Sequence, residues 1–197
     1  LKDIPAVLTW HNDLPPVSVG ASLIAYVHDN LAAPIYLLAF KKIISTSESY
    51  AETSKTLQRY RKKVVIIPNG VDTERFNPKT DGSQVRARYN LEESNVILFV
   101  GALTRWHRYK GVDILIKAFM EIQGQVKDAR LLIVGEGDLK PEYRSLSSPI
   151  EQKVIFAGNV DDDELPNYYA ASDLLVLPSV DRSEGFGLTL LEANATG

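Results

Sequence analysis

Residues 96–123 read VILFVGALTRWHRYKGVDILIKAFMEIQ and join one strand signal to one helix signal. Residues 96–100 are all apolar and mostly branched, which is typical of a strand buried on both faces of a parallel sheet. Across residues 111–123 the apolar positions follow the spacing of a single helix face: Val112, Leu115, Ile116, Phe119 and Ile122. The stretch therefore predicts a strand, a loop and a helix in that order.

The same alternation continues along the chain. Further apolar runs rich in Val, Ile and Leu occur at residues 6–10, 42–44, 64–67, 131–134, 154–157 and 174–177. Residues 163–172 have a helical pattern, for which Asp162 or Asp163 is the expected N-cap. Strands that alternate with helices predict an α/β fold with a parallel sheet.

The composition is that of an ordinary soluble globular protein, with 45% hydrophobic and 24% charged residues. The formal net charge of -3 does not favour nucleic acid as a partner. The chain has no cysteine, which excludes disulfides and thiolate metal sites and fits a reducing compartment. No apolar run of about 18 residues predicts a membrane span, and the first residues do not resemble a signal peptide. We therefore expect a cytoplasmic protein.

A domain boundary is predicted at residues 68–83, which read PNGVDTERFNPKTDGS. This segment is dense in Pro, Gly, Asn and Asp, the residues of turns and loops. The charge balance also changes here, from +3 over residues 1–80 to -6 over residues 81–197. The sequence therefore predicts two units of different character.

Unusual residues follow four of the predicted strands. Gly101 and the basic segment 105–110 follow the strand at 96–100, and a Gly-Glu-Gly segment follows the strand at 131–134. Gly158 follows the strand at 154–157, and a proline and the segment 183–192 follow the strand at 174–177. Because ligands bind beyond the carboxyl ends of parallel strands, we expect these strand ends to line one crevice.

The segment 183–192, SEGFGLTLLE, places two carboxylates around a glycine turn. Gly185 and Gly187 let the backbone approach a ligand closely. A helix that begins near Gly187 would offer unpaired N–H groups and a positive dipole end to a phosphate. The carboxylates of Glu184 and Glu192 can accept hydrogen bonds from hydroxyl groups, so sugars and ribose are natural partners.

Two residues of the basic segment 105–110 are candidates for phosphate contacts. Arg105 and Lys110 could neutralise a diphosphate. Lys110 also precedes a glycine that opens a helix, so a second helix N-terminus is expected at the crevice.

Several motifs occur in one order over nearly the whole chain. They are PNGVD at 68–72 with Phe76, the Val100-Gly101 and Lys110-Gly111 pairs, LLIVGEG at 131–137, and EGFG at 184–187 followed by Glu192-Ala193. Together they resemble the family-4 retaining glycosyltransferases of the GT-B fold, also called group 1 glycosyltransferases. The resemblance implies two Rossmann-like domains that face a cleft, with both domains incomplete in an internal fragment. Residues 1–78 would be the C-terminal portion of the acceptor-side domain, and residues 79–197 most of the nucleotide-sugar-binding domain.

The resemblance also implies an activity. The enzyme would transfer a sugar from a nucleotide-diphosphate-sugar to a hydroxyl acceptor with retention at the anomeric carbon, in glycan, glycolipid or polysaccharide synthesis. The donor would be a UDP- or GDP-sugar, the acceptor a sugar or a lipid-linked molecule, and no cofactor or metal would be required. The basic run 59–63 is interpreted as a solvent-facing segment. The alternative is that it contacts anionic headgroups, because a lipid-linked acceptor would bring the N-terminal domain to the cytoplasmic membrane face.

The roles carried over from the family fall into two groups. The implied catalytic residues are His11, Glu184, Lys110 and Arg105. The implied donor-binding residues are Glu192, Phe186, Gly187, Leu188, Glu136 and Val160. Within these groups Glu192 would bind the ribose, Glu184 the sugar hydroxyls and Lys110 the phosphate. Many relatives have an arginine where this chain has Ala102, and Arg105 would replace it.

Other interpretations stay open. The chain could be a catalytically silent nucleotide-sugar-binding module, or part of a phosphorylase or glycogen-synthase-like enzyme of the same fold. A dinucleotide dehydrogenase is disfavoured because no G-x-G-x-x-G follows a predicted strand. The acidic run 161–164 contains D-x-D, but acids near a helix start favour a cap over a metal site. His28 and His107 are interpreted as structural or exposed residues.

Overall fold

The computed structural model describes residues 4–13, 19–181 and 183–197, whose contacts form two compact units. The first unit contains the described residues up to Asn69 together with the segment 181–186. The second contains Gly70–Val180 and Gly187–Gly197. Residues 70–78, assigned from the sequence to the acceptor-side domain, thus lie in the second unit, and the loop at 181–186 lies with the first.

The first unit is built on a three-stranded parallel sheet with the order β1-β2-β3. Its strands are β1 (Val7–Trp10), β2 (Lys42–Ser45) and β3 (Val64–Ile66). Its α-helices are α1 (Val19–Val27), α2 (Ala33–Leu37), α3 (Glu48–Thr53) and α4 (Lys55–Arg59). A π-helical turn at His28–Ala32 joins α1 to α2, and a 3-10 turn at Arg61–Lys63 leads into β3. Helices connect consecutive strands because parallel neighbours need long crossovers.

Serine caps explain where two of these helices begin. The Ser47 hydroxyl accepts a hydrogen bond from the backbone N–H of Tyr50 at 3.1 Å, and Ser54 accepts one from Leu57 at 3.3 Å. Each satisfies an N–H group that the helix itself leaves without a partner. The core beneath these helices consists of Trp10, Ala33, Leu37, Ile43, Tyr50, Ala51 and Leu57.

The second unit is built on a four-stranded parallel sheet with the order β6-β5-β4-β7. Its strands are β4 (Asn95–Val100), β5 (Ala129–Val134), β6 (Val154–Gly158) and β7 (Leu174–Leu175). Its α-helices are α5 (Ser83–Tyr89), α6 (Val112–Ile122), α7 (Lys140–Leu146), α8 (Leu165–Ala170) and α9 (Leu188–Thr196). Two 3-10 segments, Arg105–Lys110 and Ser148–Lys153, precede α6 and β6.

Both faces of this second sheet are covered by helices. Phe99 of β4 packs in a buried cluster that contains Phe119 of α6, whereas its neighbour Leu98 packs in a separate cluster with Tyr168 of α8. Successive side chains of a strand point to opposite faces, so a strand covered on both sides must be apolar throughout. The predicted α/β class and parallel pairing are therefore confirmed, and the strand bounds differ from those predicted by at most two residues.

The start of α8 differs from the prediction. The helix begins at Leu165, its N-cap residue is Glu164, and no side chain caps it. The N–H of Leu165 instead donates to the backbone carbonyl of Asp161 at 3.1 Å. The expectation that Asp162 or Asp163 caps this helix is therefore wrong, because a backbone turn already satisfies the first N–H groups.

The start of α5 packs closely against the end of α8, so a larger residue at Gly82 should lower the stability of the second unit. A Cβ atom added to Gly82, which precedes α5, would lie 2.3 Å from the backbone nitrogen of Ala171. We expect Gly82→Ala to lower the free energy of unfolding by about 1–3 kcal/mol, because two backbone segments would have to separate. Urea denaturation measures this difference.

Gly124→Ala is the matched control, since nothing lies within 4 Å of a Cβ at that position. Its free energy of unfolding should stay within about 0.5 kcal/mol of the parent value. Equal losses in the two variants would contradict the packing argument.

Candidate functional site

The carboxyl ends of β4, β5 and β6 meet through their backbones. The Gly101 N–H donates to the Val134 carbonyl at 3.0 Å, and the Gly135 N–H donates to the Gly158 carbonyl at 2.8 Å. A Cβ atom at Gly135 would lie 1.9 Å from the carbonyl oxygen of Gly101, so only glycine fits there. Three of the four loops expected at the crevice therefore begin side by side.

The loop after β5 is held to the loop after β4. The N–H of Leu103 donates to the Glu136 carbonyl at 2.9 Å, and the N–H of Leu139 donates to the Leu103 carbonyl at 2.9 Å. Leu103 and Leu139 are both buried in the core beside α6. The backbone that presents Glu136 is thus fixed by the same packing that holds α6.

The side chain of Glu136 is paired within its own loop. Lys140 of α7 donates to its carboxylate, and this hydrogen bond holds the pKa of Glu136 below its ordinary value. The carboxylate oxygen Oε1 lies 3.0 Å from where a Cβ of Gly158 would stand. Glu136 therefore lies beside the end of β6, whose loop continues to the half-buried Val160. Lys140 was not identified from the sequence, because Glu136 lies in the loop before α7 and helical spacing does not apply to the pair.

Arg105 has an exposed side chain and interacts with Asp138, a partner that the sequence does not predict. Its Nε atom lies 3.1 Å from Oδ2 of Asp138, and its backbone N–H donates to Oδ1 of the same residue at 2.9 Å. The Arg105 side chain is 80% exposed. Asp138 therefore anchors the start of the 3-10 segment, and Arg105 would have to share its charge with this acid when it bound a phosphate.

Lys110 is closer to the strand ends than Arg105. Its Cδ atom lies 3.1 Å from the position of a Cβ on Gly101, so its aliphatic stem passes over the carboxyl end of β4. Its Nζ atom lies 5.6 Å from the centre of the Tyr109 ring, within the range of a cation–π contact. The ammonium group is thus presented beside the loops that begin at Gly101 and Gly135.

Two helices begin next to the chain that leaves β7. Gly111, the N-cap residue of α6, has φ of +67°, and a Cβ there would lie 2.4 Å from the carbonyl oxygen of Pro178. Gly187, the N-cap residue of α9, has φ of +77°, and a Cβ there would lie 3.0 Å from Leu177. Neither helix start has a side-chain cap. Both therefore offer first-turn N–H groups of the kind that bind anions.

Glu192 is held by a residue that the sequence analysis missed. The hydroxyl of Tyr169 donates to Oε2 of Glu192 at 2.5 Å. Burial raises the pKa of Tyr169, and the hydrogen bond and charge of Glu192 raise it further, so the phenol stays protonated. The ring of Phe76 packs edge-on against Tyr169 with 5.7 Å between centroids. Phe76, four residues after the PNGVD motif, thus supports the tyrosine that orients Glu192.

A second group of candidate residues lies in the first unit. His11 follows β1 and is exposed. A Cβ atom added to Gly185 would lie 2.2 Å from the His11 carbonyl oxygen, and the Thr46 hydroxyl donates to the Gly185 carbonyl at 3.4 Å. Glu184 and Phe186 flank Gly185, so this segment carries them to the carboxyl ends of β1 and β2.

The candidate residues are therefore divided between the units. His11, Glu184 and Phe186 belong to the first unit. Arg105, Lys110, Glu136, Val160, Gly187, Leu188 and Glu192 belong to the second. Within the described ranges, no group of three or more His, Asp or Glu side chains is arranged to hold a metal ion.

Two protein families match the chain. The family described as Glycosyl transferases group 1 matches residues 94–197, and Glycosyltransferase Family 4 matches residues 1–75. Together these matches reach both units.

Curated relatives include enzymes named for sugar transfer. D-rhamnosyltransferase WbpZ of Pseudomonas aeruginosa is 30% identical over 194 residues, which are 98% of this chain and 47% of that protein. GDP-mannose-dependent monoacylated alpha-(1-6)-phosphatidylinositol monomannoside mannosyltransferase of Corynebacterium glutamicum is 34% identical over 136 residues, 66% of this chain and 36% of that protein. The chain thus spans less than half the length of these relatives.

Solved structures of GT-B glycosyltransferases share the fold. HepE of Anabaena, solved with UDP and glucose, has a TM-score of 0.80 at 21% identity and covers 98% of this chain and 51% of that chain. Sucrose-phosphate synthase of Thermosynechococcus elongatus has a TM-score of 0.70 at 27% identity, covering 97% of this chain and 48% of that chain. These likenesses and the family match over more than half of the sequence confirm the resemblance seen in the motifs: the chain belongs to the group 1 glycosyltransferases.

Proposed function

We propose that the protein transfers a sugar from a UDP- or GDP-sugar to a hydroxyl acceptor, with retention at the anomeric carbon. The observation that carries the proposal is the pair of uncapped helix starts at Gly111 and Gly187, both beside the chain that leaves β7, with Lys110 directly before Gly111. Such an arrangement suits the two negative charges of a nucleoside diphosphate. The names of the relatives and the UDP bound to HepE support the same donor class.

In this proposal the second unit binds the donor. The first-turn N–H groups of α6 and α9 and the ammonium of Lys110 stabilise charge on the departing diphosphate, and Arg105 contributes from the exposed loop. The Glu192 carboxylate, oriented by Tyr169, accepts hydrogen bonds from the ribose hydroxyls. Glu136 and Val160 flank the base, while Gly187 and Leu188 lie at the phosphate. Cationic groups and helix dipoles then neutralise the diphosphate without a metal ion.

The first unit supplies the groups that act on the sugar. We assign His11 to the reacting sugar and Glu184 to its hydroxyl groups, with Phe186 beside them. The two units correspond, in this proposal, to portions of the acceptor-side and donor-side domains. A chain that bound nucleotide but never transferred sugar in the full-length protein would instead be a silent nucleotide-sugar-binding module. The cytoplasmic location expected from the sequence stays a prediction.

We further propose that the first unit contacts an anionic membrane surface through the basic run 59–63, together with apolar side chains that α1 and α2 expose in this part of the protein. The apolar stripe runs along α1, the π-helical turn, α2 and its C-cap residue and consists of Leu23, Ile24, Val27, Leu31, Ile35 and Leu38. Ile35 is 76% exposed and Leu38 is 67% exposed, whereas Leu37 between them is fully buried. In the described part of the chain, no helix is long and apolar enough to cross a bilayer.

Basic residues border this stripe. Arg59 donates to the Asp29 carbonyl at 3.1 Å and to the Asn30 side chain at 3.0 Å, beside Leu31. Lys63 donates to the backbone carbonyls of Leu37, Leu38 and Phe40 at the end of α2. An apolar face with cations at its edge is the pattern of a helix that lies on an anionic membrane. The phosphatidylinositol-linked acceptor in the name of one relative agrees with such a surface.

The donor proposal predicts the effect of removing Lys110. In the full-length protein, Lys110→Ala should weaken UDP or GDP binding by about 10- to 100-fold, because a charge-assisted contact to phosphate is lost. Isothermal titration against UDP, GDP and ADP measures the affinity and identifies the base. Lys117→Ala is the control, since Lys117 lies on α6 in a surface pair with Asp113 and is 59% exposed. Unchanged affinity in the Lys110 variant would count against the assignment.

The hydrogen bond to Glu192 allows a sharper test. Tyr169→Phe should weaken binding of the same nucleotide by about two- to tenfold, because the carboxylate loses the hydrogen-bond donor that orients it. Tyr168→Phe is the neighbouring control: its buried hydroxyl bonds Arg88 at 3.1 Å and Tyr89 at 3.2 Å, away from Glu192. Equal affinities in the two variants would contradict the proposal that Tyr169 orients Glu192 for the ribose.

The membrane proposal predicts sedimentation with vesicles. The full-length protein should bind vesicles that contain phosphatidylglycerol and should not bind vesicles of pure phosphatidylcholine, and salt should weaken the binding. The double substitution Leu31→Glu with Ile35→Glu should abolish it by placing charge on the stripe. Ile114→Glu, at a 47% exposed position of α6, should leave it unchanged. Equal vesicle binding by the parent protein and the Leu31→Glu, Ile35→Glu variant would contradict the proposed membrane surface.

A further inference from the structure

Asp13 ties the segment after β1 to the helix after β2. Its Oδ1 atom accepts a hydrogen bond from the indole Nε1 of Trp10 at 3.0 Å and another from the hydroxyl of Ser54 at 2.9 Å. Trp10 and Ser54 are both buried, and Ser54 also caps α4. The carboxylate is therefore held from two separate elements of the first unit.

A buried phenol lies beneath this carboxylate. Tyr50 is buried in the same core, and its hydroxyl lies close to the Asp13 carboxylate. Burial raises the pKa of Tyr50, and the nearby charge of Asp13 raises it further. The carboxylate is thus close to a neutral, buried hydroxyl and accepts two hydrogen bonds at Oδ1.

The backbone of His11 is also confined by the segment around Gly185. A Cβ atom added to Gly185 would lie 2.2 Å from the His11 carbonyl oxygen, and the Gly185 carbonyl accepts a hydrogen bond from the Thr46 hydroxyl. Only Asn12 separates His11 from Asp13. The exposed imidazole of His11 therefore stands on a segment that is anchored at Asp13 and packed against Gly185.

We infer that Asp13 is a positioning residue for His11. Its carboxylate sets the path of the segment 11–13, and the path of this segment sets the direction in which the imidazole is presented. The inference rests on the proposed function, in which His11 acts on the donor sugar. Asp13 acts through His11 and through no contact of its own with the substrate.

Kinetics of the full-length protein test the inference. The probe reaction is release of nucleoside diphosphate from UDP-glucose or GDP-mannose, whichever the protein turns over. Asp13→Ala should lower kcat by about 10- to 100-fold, because a reacting group is displaced. The KM for the donor should change less than kcat, since the proposed contacts to the nucleotide lie in the second unit. Asp13→Asn should restore most of the activity, because its amide oxygen can accept both hydrogen bonds.

Asp29→Ala is the matched control, since Asp29 belongs to the same unit and its carboxylate pairs with His28 at 2.9 Å. Its kcat should equal that of the parent protein. Equal kcat values in the Asp13→Ala and Asp29→Ala variants would overturn the inference, as would an Asn variant as slow as the Ala variant. If Asp13→Ala does not fold, Trp10→Phe removes one of the two donors and should lower kcat in the same direction; an unchanged kcat overturns the inference.

A spectroscopic readout separates this inference from the proposed function. In protein labelled with 15N-histidine, the ring signals of His11, assigned with His11→Gln, should shift in Asp13→Ala and stay in place in Asp29→Ala. If the parent protein releases no nucleotide, the proposed function fails and these signals still decide the positioning role. An unchanged His11 signal in Asp13→Ala overturns it.

Discussion

The backbone contact between Gly101 and Gly135 is the constraint on which the candidate donor site depends. Neighbouring parallel strands normally leave room for side chains at their ends, but here the space for a Cβ atom on Gly135 is occupied by the Gly101 carbonyl oxygen. The loops after β4 and β5 can therefore start from adjoining positions and bond to each other. The aliphatic stem of Lys110 lies against Gly101 at the same strand end. The position of its ammonium group therefore depends on the close contact between the ends of β4 and β5.

Much of the charge near these loops is already paired. Arg105 is bound to Asp138, and Glu136 is bound to Lys140, so neither group faces solvent as an isolated charge. Such exposed pairs contribute little to stability, but they hold loop side chains in defined directions. Ligand binding at these loops would have to compete with the internal partners. The two helix starts, which have no side-chain caps, are for this reason the stronger candidates for phosphate contacts.

The short segment around Gly185 links residues that are far apart in the sequence. Its packing against His11 belongs to the first unit, whereas the helix that begins directly after Gly187 belongs to the second. Glycine is required at position 185 by the close approach of the His11 carbonyl. A substitution in the EGFG motif would therefore disturb the segment that carries His11 as well as the glutamate beside it. The motif thus combines a steric requirement with its proposed chemical roles.

The amino-acid sequence by itself determined the class of fold, the strand positions and the family, because apolar runs, helical spacing and glycine motifs depend on residues that are near one another in the chain. It also identified Lys110, Glu192 and His11 as candidates. It did not reveal that Tyr169 orients Glu192, that Lys140 and Asp138 pair with the loop charges, or that Asp13 is held by Trp10 and Ser54. Nor did it place the cap of α8 correctly, since a backbone turn there replaces a side chain. Only the tertiary structure decided these partners, because hydrogen bonds between different elements depend on how helices and strands pack, and this packing leaves no local pattern in the sequence.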